Sequence, residues 1–159
     1  MSLEPARSES SGTDGDFRAK IVEAARGWIG TPYRHQASLR GQGADCLGLL
    51  RGVWRDVLGP EPEPLPAYSA HWNDAPGNEP LLDLAHRRLV ACEANATLRP
   101  GRVILFRWRP DLPVRHCAIA TGLGHFVHAH DRACVAEVAL HARWRRQIAG
   151  LFDFPMRRT

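Results

Sequence analysis

Residues 116–130 read HCAIATGLGHFVHAH, two short apolar-rich runs on either side of Gly122-Leu123-Gly124. The runs are extended in period and the break carries glycine, the pattern of an antiparallel hairpin. With an odd number of loop residues, even-numbered positions of both arms share one face. That face then carries His116, Ala118, Ala120, Phe126, His128 and His130. Outward from the hairpin, Val103–Trp108, Cys134–Ala139 and Ile148–Phe154 have the same period, with a turn at Pro110–Pro113. Together with His116–Thr121 and His125–His130 they predict five neighbouring strands.

The N-terminal half has a different period. Phe17, Ile21, Ala24, Ala25 and Trp28 recur at helical spacing, and Gly30-Thr31-Pro32 stops the helix. After a glycine-rich loop (Gly41-Gln42-Gly43), a second helix is predicted from about Asp45 to Leu58, closed by Gly59-Pro60. Its apolar stripe is Leu47, Leu50, Val53, Trp54 and Val57. Gly48 and Gly52 sit one turn apart on it, where each costs about 1 kcal/mol against alanine, so close packing of another backbone is expected there. The proline-rich stretch from Pro60 to Pro80 reads as a surface loop, and Leu81, Leu82, Ala85 and Leu89 as a third helix ending near Cys92. Helices followed by a run of strands predict an α+β fold with an antiparallel sheet.

The chain of 159 residues suits one domain, predicted over 17–159 behind a disordered polar tail at 1–16. The absence of a signal-peptide pattern predicts cytoplasmic synthesis, and no stretch is long and apolar enough to span a membrane. Four cysteines without CxxC spacing predict free thiols. The formal net charge is +4, supplied almost wholly by arginine. It favours anionic surfaces, but its scatter gives no nucleic-acid stripe, and no nucleic-acid partner is expected.

Cys46 is in the second position of the second helix, just after the glycine-rich turn. Backbone N–H groups at a helix N-terminus lower a thiol's pKa and can hold a developing oxyanion. The hairpin supplies histidines on one face, and a base oriented by a second polar group is the logic of a catalytic triad. Cys46 is therefore the candidate nucleophile and His116 the candidate base. His128 and His130 are both candidates to orient it.

Three blocks carry a resemblance: Gly30-Thr-Pro-Tyr-Arg34, Ala44-Asp-Cys-Leu-Gly-Leu49, and His116-Cys-Ala-Ile-Ala120 with Phe126-Val-His-Ala129. In this order they resemble the signature blocks of the NlpC/P60 cysteine peptidases, over about Phe17 to Pro155. Tyr33-Arg-His-Gln-Ala-Ser38 and Trp144-Arg-Arg-Gln-Ile-Ala-Gly150 look like the branch carried by tailed phages and gene transfer agents. The resemblance implies a papain-like fold and hydrolysis of peptidoglycan stem peptides, typically after γ-D-glutamate, without a cofactor or metal. It makes Cys46 the nucleophile, His116 the general base and His128 its orienting partner, with Tyr33 and Asp45 lining the substrate pocket. It also implies tail-like particle proteins as partners and action on the cell wall in the periplasm. Leu47 stands where the family usually has Ser, His35-Gln36 where it has Trp-Gly, and Arg102 where it has Asp.

Rival readings are an amidase or acyltransferase on the same fold, a non-catalytic tail-structural module, and a metal site. The last would draw on His116, His125, His128, His130 and Cys117 or Cys134. Strand alternation puts His125 and Cys117 on the face opposite His116, which makes a four-ligand cluster awkward.

Overall fold

Val103–Phe106 is apolar at four successive positions, a pattern that needs cover on both faces of a sheet. The computed structural model, which describes residues 9–63, 65, 68 and 77–156, places this run as a central strand. Helix α1 spans Glu9–Arg26, a short ribbon pairs β1 (Ser38–Leu39) with β2 (Gly43–Ala44), and α2 spans Cys46–Leu58. There follow α3 (Pro80–Arg88), β3 (Val90–Ala91), β4 (Val103–Phe106), β5 (His116–Ala120), β6 (His125–Ala129), β7 (Val135–Ala139), α4 (Ala142–Arg146) and β8 (Ile148–Asp153). The main sheet is antiparallel in the order β3-β8-β4-β5-β6-β7. The fold is α+β, as expected.

Alternation along the strands builds two cores. Val103, Leu105, Cys117, Ile119 and Val127 face α1 and α2. Ile104, Phe106, Ala118, Ala120 and Phe126 face the other way, toward Leu140 and the half-buried Trp144 of α4. The β5–β6 register pairs Ile119 with Val127 and Ala120 with Phe126. Even positions therefore pair with even positions across the three-residue Gly122–Gly124 loop, as predicted.

Helix α2 is held by its start and its glycines. Asp45 caps it, its side chain accepting from the Gly48 N–H at 2.7 Å. A Cβ on Gly48 would lie 1.8 Å from the Ala37 carbonyl oxygen, the close backbone approach the sequence implied. At Gly52 the neighbour is instead the Trp28 indole ring, 2.0 Å from an added Cβ. The Trp28 Nε1–H donates to Asp56 at 2.9 Å, fixing that ring against α2. Gly30 leaves α1's helical path with φ +90°, a conformation that glycine adopts without strain.

Three expectations need correction. Residues 9–16, expected within a disordered tail, form the first turns of α1, where Asp14 pairs with Arg18 and Arg99 at 3.1 Å each; residues 1–8 lie outside the described residues. The third helix ends at Arg88 rather than near Cys92, because Val90 and Ala91 pair with Asp153 and Phe152 of β8 and add a sixth strand. The loop after Pro60 is not wholly superficial. Leu65 and Tyr68 pack against the core, while residues 64, 66–67 and 69–76 lie outside the described set. Arg102, at the position where Asp was usual, bonds Asp153 at 3.2 Å beside Arg18, so the changed turn is absorbed by an ion cluster.

Candidate active site

Cys46 is the first residue of α2 and half-buried. It faces His116, the first residue of β5, whose ring and charge act on its thiol. His116 Nε2 is joined to His128 Nδ1 at 2.9 Å, which leaves His116 Nδ1 as the nitrogen facing Cys46. His130, the alternative partner, is exposed and its Nδ1 is engaged with the Asp131 carbonyl at 2.9 Å. Helix α2 does not lie on the histidine face of the sheet. It packs on the opposite face, and Cys46 meets His116 at the end of the strand.

The Cys46 thiol is held well below the ordinary cysteine value. The hydrogen bond from Cys117 is the first cause; the His116 hydrogen bond and charge add to it, against the opposing effect of burial. His128 is pushed down to about 3 by burial and then by the His116 and His130 charges. It is therefore a neutral ring at working pH. If His116 donates from Nε2, the His128 proton resides on its own Nε2, a buried atom with no hydrogen-bond partner among the described residues. Phe126 and Trp144 stand edge-to-face to the His128 ring, with centroids at 5.0 and 5.6 Å, and an N–H over an aromatic face is the contact open to it.

Aromatic rings fix the His116 plane. Phe106 and Trp108 stack on it at 5.9 and 5.7 Å, and Trp144 lies 6.2 Å away. None of these was singled out for the site from the sequence. Trp144 lies on a five-residue helix too short to show a period, and Trp108 is just beyond β4.

Tyr33 packs on the core and also lines the cleft. Burial, then the charges of Cys46, Asp45 and Asp131, push its hydroxyl up to about 12. Asp45 is 3% exposed. Burial holds its carboxyl above the ordinary range, although the Tyr68 hydroxyl and two backbone N–H groups pull the other way. Its Oδ1 accepts from Gly48 N–H; its Oδ2 accepts from Gln36 N–H at 2.7 Å and from the Tyr68 hydroxyl at 2.6 Å. His35 and Gln36, the pair standing for Trp-Gly, both reach the Tyr68 carbonyl oxygen, His35 at 3.0 Å. The unusual pair thus clasps a tyrosine over Asp45, a feature hidden from sequence because Tyr68 lies in an aperiodic loop. Leu47 belongs to the buried α2 stripe at 3% exposure.

These residues line a cleft of about 730 Å³ with Cys46 on its wall. Among the described residues, no group of three or more His, Cys, Asp or Glu side chains is gathered as metal ligands would be. No described helix is long and apolar enough to cross a membrane.

The fold has counterparts. No protein-family model matches the chain, and no curated protein matches its sequence. Solved structures do share its fold. An NlpC/P60 family protein from Bacillus cereus is 20% identical, with TM-score 0.61 over 86% of this chain and 40% of its own. The NlpC/P60 domain of the peptidoglycan hydrolase SagA is 22% identical, with TM-score 0.54 over 87% of this chain and 98% of that domain. The peptidoglycan hydrolase RipB from Mycobacterium tuberculosis is 16% identical, with TM-score 0.54 over 96% of this chain and 73% of its own. The fold is thus the papain-like fold of NlpC/P60 proteins. The chain spans about two fifths of the Bacillus cereus protein.

Proposed function

We propose that the protein is a cysteine peptidase that hydrolyses stem peptides of bacterial peptidoglycan, after γ-D-glutamate. The observation that carries this reading is the gathering of Cys46, His116 and His128 on the wall of an open cleft, with His116 hydrogen-bonded to His128 and lowering the Cys46 thiol's pKa. Its support in kind comes from fold neighbours that are themselves peptidoglycan hydrolases.

In this reading the Cys46 thiolate attacks the scissile carbonyl. Asp45 already takes up the Gly48 and Leu49 N–H groups, so the Cys46 and Leu47 N–H groups are the first-turn donors left for the oxyanion. His116 Nδ1 passes its proton to the leaving amine, then takes one from the water that releases the acyl group. His128 accepts from His116 Nε2 and holds the ring in that tautomer. Phe106, Trp108 and Trp144 keep the ring plane fixed. Tyr33 and Asp45 are proposed to border the substrate.

Turnover of cell-wall fragments tests the assignment. Cys46→Ala and His116→Ala lose activity entirely, whereas His128→Ala keeps a weak residue because an orienting group tunes the base without replacing it. Full activity in Cys46→Ala overturns the reading. The motif wording also supports a setting in a phage-like or gene-transfer-agent particle, with action on the wall in the periplasm. Co-purification with particles tests that; a protein found only free of them contradicts it.

A further inference from the structure

Cys117 is a buried nucleophilic group that the proposed reaction leaves unused. It follows His116 in β5, turns to the α2 face of the sheet and is 1% exposed. Its thiol donates to the Cys46 carbonyl oxygen at 3.3 Å, which places its sulfur beside Cys46. Cys92 instead donates to Asp153, and Cys134 pairs through its backbone with Pro32. All four are free thiols.

The two neighbouring thiols are unlike. Cys46 is open to the cleft and favours the thiolate; Cys117 is sealed in the core, and its hydrogen bond to Cys46 and its burial hold its proton on. Oxidants therefore meet Cys46 first, with a protonated thiol held at its own backbone carbonyl. We propose that Cys46 and Cys117 form a redox pair: a peroxide oxidises Cys46, and Cys117 closes a disulfide onto it, shutting the site off reversibly.

The chemistry balances in two steps. The Cys46 sulfur attacks one peroxide oxygen; the O–O bond breaks, hydroxide or alkoxide leaves, and Cys46 becomes a sulfenic acid. The Cys117 sulfur then attacks the Cys46 sulfur; the S–S bond forms, the S–O bond breaks, and hydroxide departs as water with the Cys117 proton. Two thiols lose two electrons and the peroxide gains them. A dithiol reverses the change by exchange. Without Cys117 the sulfenic acid is exposed to a second peroxide and moves on to sulfinic acid, which dithiols do not restore.

The test treats the full chain with hydrogen peroxide and maps its thiols by mass spectrometry, which reads the pair whether or not the protein cuts cell wall. The wild type is expected to lose two hydrogens, to yield a linked peptide pair containing Cys46 and Cys117, and to recover free Cys46 on dithiothreitol. Cys117→Ala is expected to gain oxygen at Cys46 and not to recover. Should that variant fail to fold, the wild-type map decides alone. A wild type that goes to sulfinic acid at Cys46 with no linked peptide, or that links Cys46 to Cys92 or Cys134, overturns the proposal.

Discussion

The Asp45 carboxylate accepts from Gln36 N–H, Gly48 N–H and the Tyr68 hydroxyl, and in the proposed reading, where Asp45 borders the substrate, a free stem-peptide amine reaching it displaces the last of these. A hydrogen bond to a charged group is worth about 1.5–3 kcal/mol, or about ten- to a hundredfold in selectivity. The wild type is therefore predicted to cut intact sacculi, whose stems carry no free amine, at least as well as free stem peptides. Tyr68→Phe shifts the preference toward free peptides by about tenfold. Leu47→Ser, a change within a packed stripe, does not. Competition kinetics on the two substrates check this, and unchanged preference in Tyr68→Phe contradicts it. His128 makes a second prediction. Its folded pKa of about 3 lies below the ordinary 6.5, so between those values the unfolded chain binds a proton that the folded chain refuses. Stability from this group is complete above about pH 6.5 and is lost as pH falls, by about 2 kcal/mol between about pH 7 and pH 5. Denaturant unfolding at both pH values should show that loss in the wild type and lack it in His128→Gln; equal losses contradict the buried neutral ring.

Among the elements, α2 carries the sharpest demand. Gly48→Ala puts a methyl group into the Ala37 carbonyl, where the backbone has to move. Overpacking of this kind costs about 1–3 kcal/mol, more than the about 1 kcal/mol that alanine gains in a helix. The same shift disturbs the Asp45 cap and the Ser38 hydroxyl, which donates to the Gly48 carbonyl at 2.6 Å. Gly48→Ala is predicted to unfold at lower denaturant and to slow iodoacetamide labelling of Cys46; wild-type stability contradicts this. The long elements were legible because their periods are strong: the α2 stripe, the hairpin and its even face were all readable from residue spacing. What stayed hidden has no period of its own. Strand β3 is two residues that exist through pairing with β8, α4 is a single short turn set by Trp144 packing, and Tyr68 stands in a proline-rich loop. Cys117 was hidden for another reason. Alternation puts it opposite His116, and only the position of Cys46 at the strand's end lets one residue touch both.

Across the whole molecule, two cores on opposite faces of one sheet divide the work. The helical face positions Cys46 and buries Cys117, while the aromatic face fixes His116 and His128. The ion pair of Arg26 with Glu137 at 2.8 Å ties α1 to the edge strand β7, and that of Arg18 with Asp153 at 2.9 Å ties it to β8, next to the other edge. The cleft lies where the two faces meet, at the start of β5, so the proposed reaction depends on both halves of the chain folding together. The most direct test of that account is digestion of purified sacculi followed by mass spectrometry of the new termini. The account predicts stem peptides cleaved after γ-D-glutamate by the wild type and untouched by Cys46→Ala. Sacculi left intact by the wild type, or the same termini from Cys46→Ala, would contradict it.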